Sequence, residues 1–129
     1  MAEWGVSWLQ GKRVLVVEDN GLFAQALAAN LEASGCRVAG PVRTLAPGLD
    51  MAKWTFLDGA ILDIEIEGGI CFPIAMQLRE RGIPFVFLSG GLGKPAVPDA
   101  LRGVPVLAKP LDDVVADASA RELFLKPPL

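Results

Sequence analysis

The sequence predicts an α/β fold in which helices cover both faces of a five-stranded parallel sheet, a doubly wound arrangement with strand order 2-1-3-4-5. Two observations support this prediction. Short apolar segments, several of them rich in branched residues and without polar alternation, recur along the chain. Segments with helix-starting and helix-ending residues separate them. A chain that alternates strand and helix in this way buries its strands between two helical layers.

The predicted strands follow from these apolar runs. The first, RVLVVE, is typical of a strand buried on both faces, and so of a central position in the sheet. The third, GAILD, ends on an acid, and the fourth, PFVFL, is followed by Ser89. The fifth, VPVLA, contains Pro105, which cannot donate to a sheet ladder and therefore favours an edge position. The five predicted strands span residues 13–18, 36–39, 59–63, 84–88 and 104–108.

Capping residues, glycines and prolines bound the predicted helices. Asn20 can cap a first helix that Gly35 ends, and Thr44 can cap a second that runs to about Trp54. Pro73 suits the first turn of a third helix, which reaches about residue 81. Glycine and proline recur between residues 90 and 103, so we expect a short or irregular fourth helix, at most a turn around 97–102. A closing helix is predicted over about 111–124.

The length of 129 residues fits one domain rather than two. We assign residues 1–11 to an N-terminal extension, 12–124 to the domain and 125–129 to a C-terminal tail. The strand order is the flavodoxin-like one, which places a binding site at the carboxyl ends of the strands.

Composition excludes several classes of function. The formal net charge of -3 gives no general attraction to nucleic acid or to an anionic membrane. There is no membrane-length apolar run and no signal-peptide pattern, so we expect a cytoplasmic protein. The chain has no histidine, which excludes histidine-based catalysis and histidine-rich zinc sites. Cys36 and Cys71 are predicted to be buried free thiols.

Polar side chains stand where four of the predicted strands end. Glu18 and Asp19 follow the first strand, Asp63 ends the third, Ser89 follows the fourth and Lys109 follows the fifth. The first and third strands are neighbours in the predicted sheet, so three carboxylates share one small space. Such a cluster requires a compensating cation or protons. A set of oxygen ligands favours Mg²⁺ over zinc.

This pocket suits phosphoryl transfer. Asp63 can act as the nucleophile and form an aspartyl phosphate, while the metal and the Lys109 ammonium neutralise the transferred oxygens. Ser89 can hydrogen-bond the bound phosphoryl group. Each residue alone is more often a cap or a solvated loop residue; their joint occurrence at successive strand ends favours the functional interpretation.

These residues resemble the response regulator receiver family over residues 12 to about 121. The resemblance lies in four segments: VLVVEDN (14–20), AILDIEI (60–66), PFVFLSG (84–90) and VLAKP (106–110). It implies that Glu18 and Asp19 hold Mg²⁺, with the Glu65 backbone carbonyl completing the metal shell. It also implies that Asp63 accepts phosphate from a histidine kinase or a histidine phosphotransfer protein.

The resemblance implies a switch as well. Ser89 is expected to move toward the phosphoryl group, Lys109 to pair with it, and the peptide bond after Lys109 to be cis. Val106 stands where many receivers have Tyr or Phe, so the usual aromatic switch is missing or relocated. The glycine-rich segment 90–103 resembles divergent stand-alone receivers of alphaproteobacterial type, and the usual output face is therefore in question.

Two alternatives remain open at this stage. A pseudo-receiver would keep the fold as a binding module without phosphorylation. A haloacid dehalogenase-type hydrolase is suggested by the spacing of Asp63 and Glu65, but its nucleophile normally follows the first strand. We expect a non-enzyme that supports only its own phosphoryl transfer and dephosphorylation. It would signal by protein contact as a monomer or a phosphorylation-dependent dimer.

Overall fold

The computed structural model describes residues 10–90 and 96–109. Its main sheet has five parallel strands in the order β2-β1-β3-β6-β7. This confirms the predicted order 2-1-3-4-5, since a small hairpin adds two strands to the numbering after β3. The strands are β1 Arg13–Val17, β2 Arg37–Val42, β3 Gly59–Asp63, β6 Phe85–Ser89 and β7 Val106–Ala108, with hairpin strands β4 Glu65–Ile66 and β5 Gly69–Ile70.

Three helices lie within the described residues: α1 Gly21–Ala33, α2 Leu45–Trp54 and α3 Phe72–Glu80. The Asn20 side chain caps α1 as predicted, accepting a hydrogen bond from the backbone N–H of Phe23 at 3.0 Å. Gly35 follows α1 with a φ of 96°, a conformation that glycine adopts without strain. Thr44 occupies the N-cap of α2 but makes no capping hydrogen bond through its side chain.

The hydrophobic core has one layer on each face of the sheet, because successive strand residues point to opposite sides. On one face, Leu15 and Val17 pack in a cluster with residues of α2 and α3. On the other face, Val14 and Val16 pack against Leu27 and other residues of α1. All residues of β3 are buried, as expected for a central strand. Helices on both sides of a parallel sheet confirm the doubly wound fold.

The structure differs from the sequence prediction at the second strand and after the third. The second strand was expected over residues 36–39, whereas β2 runs from Arg37 to Val42. A register irregularity between Leu15 and Val17 accommodates this longer pairing. The hairpin of β4 and β5 was not predicted, because strands of two residues are too short to carry a periodic signal.

In its described residues the glycine-rich segment is irregular, as expected. β7 begins at Val106, later than the predicted strand 104–108, so Pro105 lies just before it. A single 3-10 turn, Asp99–Leu101, lies within the region predicted to hold at most a turn. β7 lies at the edge of the sheet, where the Pro105 carbonyl accepts a hydrogen bond from Phe87 N at 2.9 Å. The closing helix at 111–124, the tail at 125–129, most of the extension at 1–11 and the Lys109–Pro110 peptide lie outside the described residues. Within the described residues, no helix combines the length and the apolar character needed to cross a bilayer.

Candidate functional site

The residues predicted from the strand ends meet at the carboxyl edge of the sheet. Asp63 is the last residue of β3 and Ser89 the last of β6, while Glu18 follows β1 directly. Lys109 follows β7, and its backbone N–H donates to the Ser89 carbonyl at 3.0 Å. A cleft of about 330 Å³ opens at this edge. It is lined by Asp19, Asn20, Asp63, Ile64, Glu65, Ser89, Gly90 and Lys109.

Three carboxylates form an acidic cluster at the base of this site. One carboxylate oxygen from each of Glu18, Asp19 and Asp63 lies within 4.8 Å of the others. Glu18 is 0% exposed and Asp63 5% exposed, while Asp19 is half-buried. Like charges at this distance repel, and removal from water strengthens the repulsion. The predicted convergence of the three carboxylates is confirmed.

Lys109 supplies positive charge to this cluster. Its Nζ lies 2.6 Å from Glu18 Oε1 and donates a hydrogen bond to Asp63 Oδ2 at 3.1 Å. The Lys109 side chain is only 18% exposed, so water screens its attraction to the two carboxylates poorly. Three ionised carboxylates against one ammonium leave two negative charges uncompensated. One divalent cation would neutralise the cluster.

The pKa values of Glu18, Asp19 and Lys109 are all raised in this site. Burial raises the pKa of Glu18 above its usual range, although the Lys109 ammonium opposes the shift. Burial also raises the pKa of Asp19, and the neighbouring Glu18 carboxylate adds to the effect. Burial by itself lowers the pKa of Lys109, but Glu18 and Asp63 together outweigh it, so that this pKa is raised. Lys109 therefore stays an ammonium at neutral pH.

Glu18 provides the test of whether these residues fit Mg²⁺. Its Oε2 accepts a hydrogen bond from the backbone N–H of Asn20 at 2.9 Å. Its Oε1 is buried and forms an ion pair with the Lys109 ammonium, whose Nζ lies 2.6 Å away. A buried carboxylate oxygen is costly unless positive charge stabilises it, and Lys109 divides its single charge between Glu18 and Asp63. Three carboxylates that share one ammonium and offer only oxygen donors fit Mg²⁺.

The other predicted site residues occupy the expected places. Ser89 is half-buried and lines the cleft. Glu65 lies on the cleft in β4, with its side chain exposed. Val106 occupies the position where many receivers have Tyr or Phe. It is half-buried, packs against the main core and lies opposite Phe87 in the pairing of β6 with β7.

Two residues of the site were not identified from the sequence. The Phe23 ring lies under the Lys109 ammonium, with Nζ 4.2 Å from the ring centroid. A Cβ at Gly90 would lie 2.8 Å from Lys109 Cδ, so the absence of a side chain at Gly90 leaves room for the lysine stem. The helical spacing of apolar residues marked Phe23 only as a core residue of α1. Neither contact has a local sequence signal, because each joins segments far apart in the chain.

The buried thiols lie outside this chemistry. Cys36 and Cys71 are both buried and free, as predicted. Burial raises the pKa of the Cys36 thiol to about 11 and that of the Cys71 thiol to about 12. Both are therefore protonated and unreactive at neutral pH.

Comparison with known proteins identifies the fold family. No protein-family model and no curated protein sequence matches the chain. Among solved structures, SdrG from Sphingomonas melonis Fr1 is 35% identical, with a TM-score of 0.74 over 88% of this chain and 96% of that one. The BeF3-activated conformation of SdrG is 39% identical, with a TM-score of 0.68 over 86% of this chain and 95% of that one.

More distant structures show the same fold. A response regulator receiver protein from Sinorhizobium medicae WSM419 is 22% identical, with a TM-score of 0.75 over 92% of this chain and 98% of that one. The sheet order, the acidic cluster beside Lys109 and the similarity to SdrG agree with one another. The chain belongs to the response regulator receiver family.

Proposed function

We propose that the chain is the phosphoacceptor of a two-component or phosphorelay system, taking a phosphoryl group on Asp63 with Mg²⁺ bound and signalling through protein contact. The observation that carries this proposal is the geometry of Asp63. Its buried carboxylate ends the central strand β3, belongs to an acidic cluster and accepts a hydrogen bond from Lys109 at 3.1 Å. A nucleophile, a cation and a divalent-metal donor set thus stand together.

The proposed donor is a phosphohistidine of a histidine kinase or of a histidine phosphotransfer protein. A carboxylate oxygen of Asp63 attacks phosphorus, and the new P–O bond forms as the P–N bond breaks. The imidazole leaves with the electron pair of the broken bond. Because the chain itself has no histidine, the donor must come from another protein or from a small molecule.

The chain's own residues prepare this transfer. Glu18, Asp19, Asp63 and the Glu65 backbone carbonyl would hold Mg²⁺, which when bound supplies positive charge to the phosphoryl oxygens. Lys109 already contacts Asp63 and can pair with a phosphoryl oxygen attached there. The Ser89 hydroxyl lines the same cleft and can donate a hydrogen bond to that group.

Phosphorylation would signal by changing the conformation of the protein surface near the site. A phosphoryl group adds about 1.5 to 2 negative charges, enough to draw Ser89 and the following loop toward Asp63. The 39% identical relative SdrG has a BeF3-activated conformation, which supports an activation step of this kind. With Val106 in place of an aromatic residue, we expect the switch to use other groups. The chain would act in the cytoplasm, as a monomer or a phosphorylation-dependent dimer, and catalyse only its own phosphoryl transfer and hydrolysis.

Phosphorylation by a small donor tests this proposal. Wild-type protein incubated with acetyl phosphate and Mg²⁺ should gain the mass of one phosphoryl group, and EDTA should prevent the gain. Asp63→Asn should not be labelled, because an amide oxygen is a poor nucleophile. Asp50→Asn, at an exposed position on α2, is the matched control and should label normally.

The pseudo-receiver alternative predicts a different result. Such a protein would take no label and would show no spectral change around Asp63 with beryllofluoride and Mg²⁺. Label retained in Asp63→Asn would also contradict the proposal, since another residue would then be the acceptor. A cognate kinase should reproduce the labelling seen with acetyl phosphate.

A further inference from the structure

A series of contacts leads from the Lys109 ammonium through the start of α1 and back to the same ammonium. Glu18 Oε1 lies 2.6 Å from Lys109 Nζ, and Glu18 Oε2 accepts from the backbone N–H of Asn20 at 2.9 Å. The Asn20 side chain in turn accepts from the backbone N–H of Phe23 at 3.0 Å. The Phe23 ring then returns to Lys109, with Nζ 4.2 Å from its centroid. The start of α1 is therefore linked to Lys109 in two ways: through the backbone N–H of Asn20, which binds Glu18, and through the aromatic ring of Phe23.

The Phe23 side chain packs against the core, and its backbone is hydrogen-bonded to the Asn20 cap. Phe23 is half-buried and packs against the core cluster on the α1 face of the sheet, which includes Leu27. Its backbone is held by the Asn20 cap. A cation over an aromatic face is attracted by the ring quadrupole, more strongly when water is partly excluded. At 18% exposure, the Lys109 side chain meets that condition.

We propose that Phe23 is a positioning residue for Lys109, holding the ammonium beside Asp63 during phosphoryl transfer. This inference rests on the proposed function. The other two partners of the ammonium, Glu18 and Asp63, are both engaged elsewhere in that reaction, one by the metal and one by the incoming phosphoryl group. The aromatic face is the contact that neither event removes. The Phe23 ring therefore keeps the Lys109 ammonium in the site while Glu18 binds the metal and Asp63 receives the phosphoryl group.

Substitution of the ring tests the proposal. Phe23→Leu keeps an apolar side chain but removes the aromatic face, and we expect labelling by acetyl phosphate at saturating Mg²⁺ to slow by about three- to tenfold. Phe23→Tyr should retain most of the rate. Leu22→Ala is the matched control, because Leu22 precedes Phe23 on α1 and is 83% exposed. The Mg²⁺ concentration for half-maximal labelling should change by less than about twofold, since an apolar ring cannot bind the metal.

A fluorinated series separates the electrostatic role from packing. Phenylalanine analogues with one, two and three ring fluorines keep nearly the same shape but progressively weaken the attraction for a cation. Installed at Phe23, they should lower the labelling rate in step with fluorine number. In the NMR spectrum, the Lys109 methylene protons next to Nζ should show the upfield shift of protons over an aromatic ring, and Phe23→Leu should abolish it.

The outcomes distinguish this proposal from the one on which it rests. A flat fluorinated series in a protein that does label, or a wild-type rate in Phe23→Leu, would overturn the positioning role alone. A rate that falls for Phe23→Leu but not across the series would assign Phe23 to packing and also overturn the proposal. If the wild-type protein takes no label, the proposed function fails, and the role of Phe23 in phosphoryl transfer fails with it.

Discussion

Replacing Lys109 with methionine should expose the electrostatic cost of the acidic cluster. Lys109→Met keeps a long apolar stem and removes the ammonium. Glu18 and Asp63 would then be buried without their cation, at 0% and 5% exposure. In EDTA at neutral pH we expect the variant to fold but to be clearly less stable than wild type.

The contacts of Lys109 set the magnitude. Nζ lies 2.6 Å from Glu18 Oε1 and 3.1 Å from Asp63 Oδ2. At an effective dielectric constant of about 20, Coulomb's law gives roughly 5 to 6 kcal/mol of attraction for each contact, much of which only offsets the cost of burial. Breaking a buried pair by removing one partner typically costs about 3 to 5 kcal/mol. Because the Lys109 side chain is 18% exposed, we expect the lower end, about 3 kcal/mol.

Urea unfolding followed by circular dichroism measures this loss. With a slope of about 1 to 3 kcal/mol per molar urea, a loss of about 3 kcal/mol lowers the midpoint by about 1 to 3 M. Glu18→Gln combined with Lys109→Met removes the buried negative charge as well. The double variant should therefore be more stable than the sum of the two single losses predicts, by about 1 to 3 kcal/mol.

Magnesium should reduce the difference in unfolding free energy between wild type and Lys109→Met. A ligand at one hundred times its dissociation constant stabilises the folded state by about 2.7 kcal/mol, and Lys109→Met presents a more negative site than wild type. Adding Mg²⁺ should therefore stabilise the variant more than wild type. The reasoning fails if Lys109→Met matches wild type in EDTA within about 0.5 kcal/mol, or if Mg²⁺ stabilises the two proteins equally.

Three further predictions concern Gly90, Gly48 and Glu18. Gly90→Ala should fold with near-normal stability yet label on Asp63 several times more slowly, because its Cβ would lie 2.8 Å from Lys109 Cδ and displace the stem; an unchanged labelling rate would contradict this. Gly48→Ala should lose about 1 to 3 kcal/mol of stability in urea unfolding, since its Cβ would lie 2.6 Å from an isoleucine methyl of α3, whereas Gly21→Ala, with open space around it, should not; equal effects of the two would refute the packing argument. Burial raises the pKa of Glu18, so this carboxyl favours the fold at acid pH and loses that contribution as pH rises through its folded-state pKa. Mg²⁺ needs the ionised form, so the rise in Tm that it causes should be larger at about pH 8 than at about pH 5.5, and a larger rise at acid pH would count against the site.

The sequence sufficed to predict most of the fold and the membership of the site. Apolar runs such as VLVV and GAILD are long enough to identify buried strands, and the edge position expected of the last strand is confirmed, although Pro105 lies just before β7 and not within it. Asp63, Ser89 and Lys109 could be assigned to one site before any coordinates, because parallel strands end at the same edge of a sheet. The limits of the prediction appear at β2, which was expected to end at Ala39 but continues to Val42 in its pairing with β1.

What only the tertiary structure decided is how these groups meet. Lys109 contacts two carboxylates and an aromatic face. The carboxylate contacts depend on how the strands lie beside one another, and the aromatic contact depends on how α1 packs against the sheet. The closeness of Gly90 to the lysine stem depends on the packing of β6 beside β7. Such contacts join residues far apart in the chain, which leave no period and no local propensity to detect. Residue identity at the strand ends was therefore a property of the sequence, whereas distance, burial and the pKa shifts that follow from them belong to the folded arrangement.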